Sequence, residues 1–184
     1  MLKCNLAVLL AERKLKISKV AADTGISRTT LTALSSNQSQ GIQFDTLNTL
    51  CSHLRVTPAE FFCYASFEFK TELEKTGDNT FYVNIYFLPS NKRYGISDSV
   101  YLFSEVYPDY ETSEVTRPIE VSIELPDDDD NLRKLRRYMK GLSPIFKRDL
   151  EQQICEDLYN AYFDDGYEEG DCILNLQNEL KDLL

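Results

Sequence analysis

Apolar residues in the first third of the chain recur at helical spacing. Leu6, Leu9 and Leu10 share one face, with Ala7 and Val8 beside it, and predict a helix over residues 3–14. Ser18 suits the N-cap of a second helix, Lys19 to Thr24, and Gly25 supplies the positive-φ stop that ends it. Ile26 then anchors a turn, and Ser27 caps a third helix, Arg28 to Ser35. A polar loop, Ser36 to Gly41, leads to Phe44, Leu47, Leu50, Cys51 and Leu54, which mark a fourth helix. Thr57 caps a fifth, with Pro58 at its first position and Phe61 and Phe62 turned inward. Residues 1–66 are therefore expected to form an all-α unit of five short helices.

From Ser66 the period changes from helical to two. Phe67 and Phe69 alternate with Glu68 and Lys70, and Gly77-Asp78-Asn79 marks a turn. Phe81, Val83, Ile85 and Phe87 alternate with Tyr82, Asn84 and Tyr86, with Pro89 closing the strand and Asn91 to Gly95 turning the chain. Val100, Leu102 and Ser104 alternate with Tyr101 and Phe103 in a strand closed by Pro108-Asp109. Ile119, Val121, Ile123 and Leu125 alternate with Glu120, Ser122 and Glu124, apolar on one side and polar on the other. Short turns between these strands predict a four-stranded antiparallel meander. Helical spacing resumes at Leu132 to Gly141 and again from Ser143-Pro144 through Phe163, with a short last helix over about 171–183. Residues 67–184 thus read as an α+β domain.

Charge sharpens this division. The net is −10, but residues 1–66 carry seven bases and four acids, +3, while the remainder carries 13 bases and 26 acids, −13. A mildly basic part can approach a polyanion; an acidic part is repelled by nucleic acid and faces other partners or solvent. The five cysteines include no C-x-x-C pair, and Cys51, His53 and Cys63 match no zinc spacing, so reduced thiols and no metal are expected. No apolar run reaches the roughly 18 residues of a membrane span, and Met1 to Asn5 opens no signal peptide. These features predict a cytoplasmic protein with no membrane contact.

The most specific segment is Val20-Ala21-Ala22-Asp23-Thr24-Gly25-Ile26-Ser27-Arg28-Thr29-Thr30-Leu31. A small Ala21 permits close helix crossing, Gly25 makes the sharp turn, and Ile26, Leu31 and Leu34 fill the angle between helices. With Phe44, Leu47, Leu50 and the ending Val56 to Phe62, residues 3–64 resemble the lambda-repressor/Cro (XRE) family of helix-turn-helix regulators. The resemblance implies that the third helix enters the major groove of an operator. Arg28, Thr29, Thr30 and Thr32 would then meet base edges, Arg28 by a bidentate bond to guanine O6 and N7. It also implies phosphate contacts from Ser18, Lys19, Ser27 and Asn37, with Lys14 and Lys16 adding charge at the edge. Ser18 and Ser27 serve equally as helix caps alone, and Arg28 has the alternative of pairing with an acid. Such heads usually act as homodimers on inverted repeats.

No catalytic constellation is legible. His53 is the only histidine, and no P-loop, G-x-G-x-x-G or H-E-x-x-H occurs, so neither enzymatic activity nor a cofactor is expected. The acidic segment Asp164 to Asp171 lacks the ligand spacing of an EF-hand and reads as a loop. Asp127 to Asp130 reads as a helix start, paired by the cluster Arg133 to Arg137 at i+3 and i+4 or leaving that cluster to touch DNA. Three roles stand for residues 67–184. One is dimerisation of a phage or mobile-element repressor, and another is sensing of a ligand or partner. The third is an anti-CRISPR-like arrangement, in which the acidic domain blocks a host effector nuclease while the head represses its own gene.

Overall fold

The computed structural model describes residues 1–89, 98–109, 116–126, 129–161, 163 and 166–184. The chain divides into two compact units, Met1–Ala65 and Ser66–Leu184. The first contains β1 (Leu2–Cys4), α1 (Leu6–Glu12), α2 (Ile17–Thr24), α3 (Arg28–Ser35), α4 (Phe44–Leu54), α5 (Pro58–Phe61) and β2 (Phe62–Tyr64). Leu6, Val20, Leu31, Leu50 and Phe61, one from each helix, are fully buried at its centre.

This unit is not all-α. β1 and β2 form an antiparallel pair with Leu2 opposite Tyr64 and Cys4 opposite Phe62. Residues 3 and 4, expected in the first helix, join Leu2 in this ladder, and α1 starts only after Asn5, whose N–H donates to the Phe61 carbonyl at 2.8 Å. Phe62, expected inward, is half-buried in β2 and meets Phe61 edge-on at 5.3 Å. The second helix also begins earlier than expected. Lys16, extended at φ −92° and ψ 144°, is its N-cap, so Ser18 lies inside the first turn and caps nothing. Leu15 and Ile17 both pack on the core, and this pulls the chain into the helix before Ser18 is reached. Phe44 opens α4, as its spacing implies, but faces solvent. It is 88% exposed at the first turn of α4, while Leu50, Cys51 and Leu54 turn inward.

The second unit contains β3 (Phe67–Lys75), β4 (Thr80–Pro89), β5 (Asp98–Asp109), β6 (Thr116–Glu124), α6 (Asp129–Met139), α7 (Pro144–Asn160), β7 (Cys172–Leu176) and α8 (Asn178–Lys181). Its sheet has five strands in the order β3-β4-β5-β6-β7. β3 to β6 pair antiparallel, but β7 runs parallel to β6, with Ile119 opposite Cys172 and Ile123 opposite Leu176. The sheet is therefore mixed rather than a four-stranded meander, and the expected helix over 171–183 is a strand followed by one short helical turn. A parallel neighbour needs a long crossover, which α6 and α7 supply. Within β7, buried Cys172 and half-buried Leu174 and Leu176 alternate with exposed Ile173 and Asn175, a period of two. β5 also continues through Pro108-Asp109 instead of stopping there. The β5–β6 register shifts between Tyr107 and Asp109, and such an irregularity accommodates a proline within a strand. The turn expected at Asn91 to Gly95 lies outside the described residues, as do Asp127, Asp128, Asp164 and Asp165.

Alternate residues of each strand, Phe81, Val83, Ile85 and Phe87 on β4 and Val100, Leu102 and Val106 on β5, pack with Leu135, Met139, Leu150, Ile154 and Leu158 of α6 and α7. Phe87 stacks on Tyr138 at 4.0 Å, and the Thr71 hydroxyl donates to Asp157 of α7. Asp130 pairs with Arg133 and, at 2.8 Å, with Lys134, while Arg137 pairs with Asp98 of β5. Arg133, Lys134 and Arg137 are thus engaged with acids of their own unit. Among the described residues no helix is long and apolar enough to cross a membrane.

Two outcomes follow from this packing. Leu158 is fully buried, so Leu158→Ala should cost about 2–5 kcal/mol, read as a lower urea midpoint of the intact chain. In α5, Glu60 accepts from the Thr57 backbone N–H at 2.7 Å and from its hydroxyl at 2.8 Å, and these bonds hold its carboxyl below the usual range. That contribution is complete above the unfolded carboxylate pKa and is lost as pH falls through the depressed folded value. Glu60→Gln should flatten this part of the acid limb of a stability–pH profile.

Candidate nucleic-acid interface

The site is built from the turn between α2 and α3. Gly25 ends α2 in the left-handed conformation, φ 73°, and its N–H returns to the Ala21 carbonyl at 3.0 Å. A side chain at this φ is strained, and glycine removes the strain. The Thr24 hydroxyl donates to the Val20 carbonyl at 2.6 Å and accepts from the Ile26 N–H at 3.3 Å, closing the corner. Ser27 is extended and caps α3, accepting from the Thr30 N–H at 3.1 Å.

Leu31 and Leu34 fix the rotation of α3 by turning into the core. Residues three and four apart share a helix face, so Arg28, Thr29 and Thr32 emerge together on the opposite, exposed side. Arg28 makes no ion pair with any described residue. Thr30 is exposed as well but belongs to the cap, its hydroxyl 2.8 Å from Ser27 Oγ. Ser36, which the sequence reading did not single out, extends the Arg28–Thr32 row by one more four-residue step and is exposed. That step was the available signal.

The residues assigned to phosphate separate into different environments. Lys14, φ 52°, and Lys16 are exposed on the turn before α2. Ser18 is exposed in the first turn of α2. Lys19 is exposed but pairs with Asp23 at 2.8 Å, which offsets its charge. Ser27 faces solvent while its Oγ serves the cap. Asn37 is the outlier. It sits at φ 55° after α3, and its side-chain amide clamps β1, accepting from the Cys4 N–H at 2.6 Å and donating to the Cys4 carbonyl at 3.1 Å. Both ends of that amide are thereby occupied by backbone.

The residues weighed as metal ligands do not converge. Cys51 faces the core, His53 lies 4.0 Å from Asp23, and the Cys63 thiol donates to the Lys3 carbonyl at 3.6 Å. Among the described residues no group of three or more His, Cys, Asp or Glu side chains is placed to hold a metal ion. All five cysteines are free thiols.

Residues 5–65, the N-terminal third of the chain, match the family of Cro/C1-type HTH DNA-binding domains. No curated protein and no solved structure matches the chain.

The Asn37 clamp generates an outcome that separates structure from DNA contact. Asn37→Ala leaves the buried Cys4 N–H and C=O without their partner and should cost about 1–3 kcal/mol of stability in denaturant unfolding.

Proposed function

We propose that this protein is a sequence-specific DNA-binding regulator of transcription, acting as a repressor or autorepressor on an inverted-repeat operator. The observation that carries the reading is the exposed row Arg28, Thr29 and Thr32 on a helix held from behind by Leu31 and Leu34, within a segment of Cro/C1 type. A helix of this width fits the major groove. There the Arg28 guanidinium meets guanine O6 and N7, and the threonines meet base edges or a thymine methyl.

Lys14, Lys16 and the exposed first turn of α2 around Ser18 offer charge and donors to the adjoining phosphates. Lys19 contributes less, because Asp23 already neutralises it. With a net of only +3 over residues 1–66, one head has modest affinity for a polyanion. Occupancy of an operator at physiological salt favours two heads on half-sites one helical turn apart, about 34–36 Å. The role is binding rather than catalysis. Its partner is duplex DNA, its setting the cytoplasm of a cell carrying a phage or other mobile element, and no cofactor is invoked. The nuclease-blocking alternative requires the acidic unit to hold a basic protein, and the carboxylates of Glu72, Glu74, Glu120 and Glu124 on one face of its sheet favour such a partner.

The test is binding of the full chain to duplexes selected from a random pool, followed by anisotropy. Arg28→Ala should lose about 1–3 kcal/mol and relax the preference at one guanine per half-site. Lys16→Ala should weaken all duplexes alike and reduce the salt slope by about one contact. Selected-duplex affinity unchanged by Arg28→Ala and Thr29→Ala overturns the reading.

A further inference from the structure

The face of the five-stranded sheet turned away from α6 and α7 has an unusual composition. On β4 the residues facing the helices are Phe81, Val83, Ile85 and Phe87, which leaves Tyr82, Asn84 and Tyr86 on the other side. In register beside them on β5 stand Phe103 and Tyr101, with Tyr82 and Phe103 in edge contact at 5.9 Å and Tyr101 44% exposed. The flanking strands add only carboxylates and one amine to the charge of this face. Glu68, Glu72 and Glu74 lie on β3, Glu105 on β5, and Glu120 and Glu124 on β6. Lys70, the single base there among the described residues, is taken by Glu72 at 2.5 Å.

At the middle of the face is Asn84, flanked in register by Glu72 and Tyr101. It is only 8% exposed, and its Oδ1 has no hydrogen-bond partner among the described residues. A buried amide oxygen is ordinarily satisfied, so this one marks a place where a donor is missing.

We infer that this face is a docking surface for a basic, arginine-bearing segment of another protein, with one guanidinium donating to Asn84 Oδ1. The chemistry fits arginine. Its flat cation stacks on tyrosine, its fork pairs with carboxylates, and it carries five donors for an acceptor such as Asn84. Charge sign rules against the other macromolecular occupants. The same face of a second copy is equally acidic, and nucleic acid or an anionic membrane would be repelled.

The probe is a fluorescein-labelled peptide of alternating Arg and Gly, titrated into the full chain at 150 mM salt (roughly physiological ionic strength) and followed by anisotropy and by amide chemical shifts. Shifts should concentrate on β4 and β5. Asn84→Leu and Tyr101→Ser should each weaken binding about tenfold, and a Lys-for-Arg peptide should bind more weakly than the Arg peptide. Glu156→Gln, an exposed acid on α7, should leave the affinity unchanged. Asn84→Leu removes the orphaned oxygen without opening a cavity, and Tyr101 is a surface residue, so both variants report on binding rather than folding. No detectable binding, shifts scattered over acidic helices, or equal loss from Glu156→Gln overturns the inference. So does binding to this face by duplex DNA or by a second copy.

Discussion

Leu31 and Leu34 hold α3 by one side, and the character of the head follows from that anchorage. Burying these two leucines among Leu6, Val20 and Leu50 fixes the rotation of a helix only eight residues long, too short to be stable in isolation. Once the rotation is fixed, Arg28, Thr29 and Thr32 have no choice but to face outward. Gly25 and the Ser27 cap set where the helix starts, and the Asn37 clamp on Cys4 sets where the chain goes when it ends. The exposed row is therefore the residue of a packing problem: what is left over when the apolar side is satisfied.

The same constraint governs the acidic unit. Alternation along β4 and β5 sends one set of side chains under α6 and α7 and leaves the other set outside the core. On most strands that second set is plainly polar. On β4 and β5 it is aromatic around a buried, unpaired amide, which packing alone does not explain. The two units thus differ in the charge they present, +3 and −13, and each leaves one surface whose side chains are not used for holding itself together.

Periodicity made much of this legible. The α2–Gly25–α3 corner, the alternation of β3 to β6 and the inward residues of α7 follow from spacing and caps within single segments. What escaped depends on contacts distant in sequence. Residues 2–4 continue a helical apolar pattern and become β1 only because residues 62–64 lie opposite. β7 is five residues long and becomes a strand only because β6 offers a parallel edge at the end of the α6–α7 crossover. Phe44 keeps helical spacing with Leu47 and Cys51, yet it lies at the first turn of α4 and remains outside the core. Within the candidate site, the exposed row was readable from the cap at Ser27. The diversion of Asn37 to Cys4 was not, since its partner lies on another element, whereas the Lys19–Asp23 pair has i,i+4 spacing within α2 and was open to reading.

If Arg28 reads a guanine edge in the major groove, a methyl group at guanine N7 interferes with binding. On a selected operator, methylating one guanine in each half-site should block binding by the wild-type chain, and Arg28→Ala should be indifferent to the same modification. Wild-type binding that tolerates methylation at every guanine, or an Arg28→Ala variant with the wild-type interference pattern, would contradict that reading.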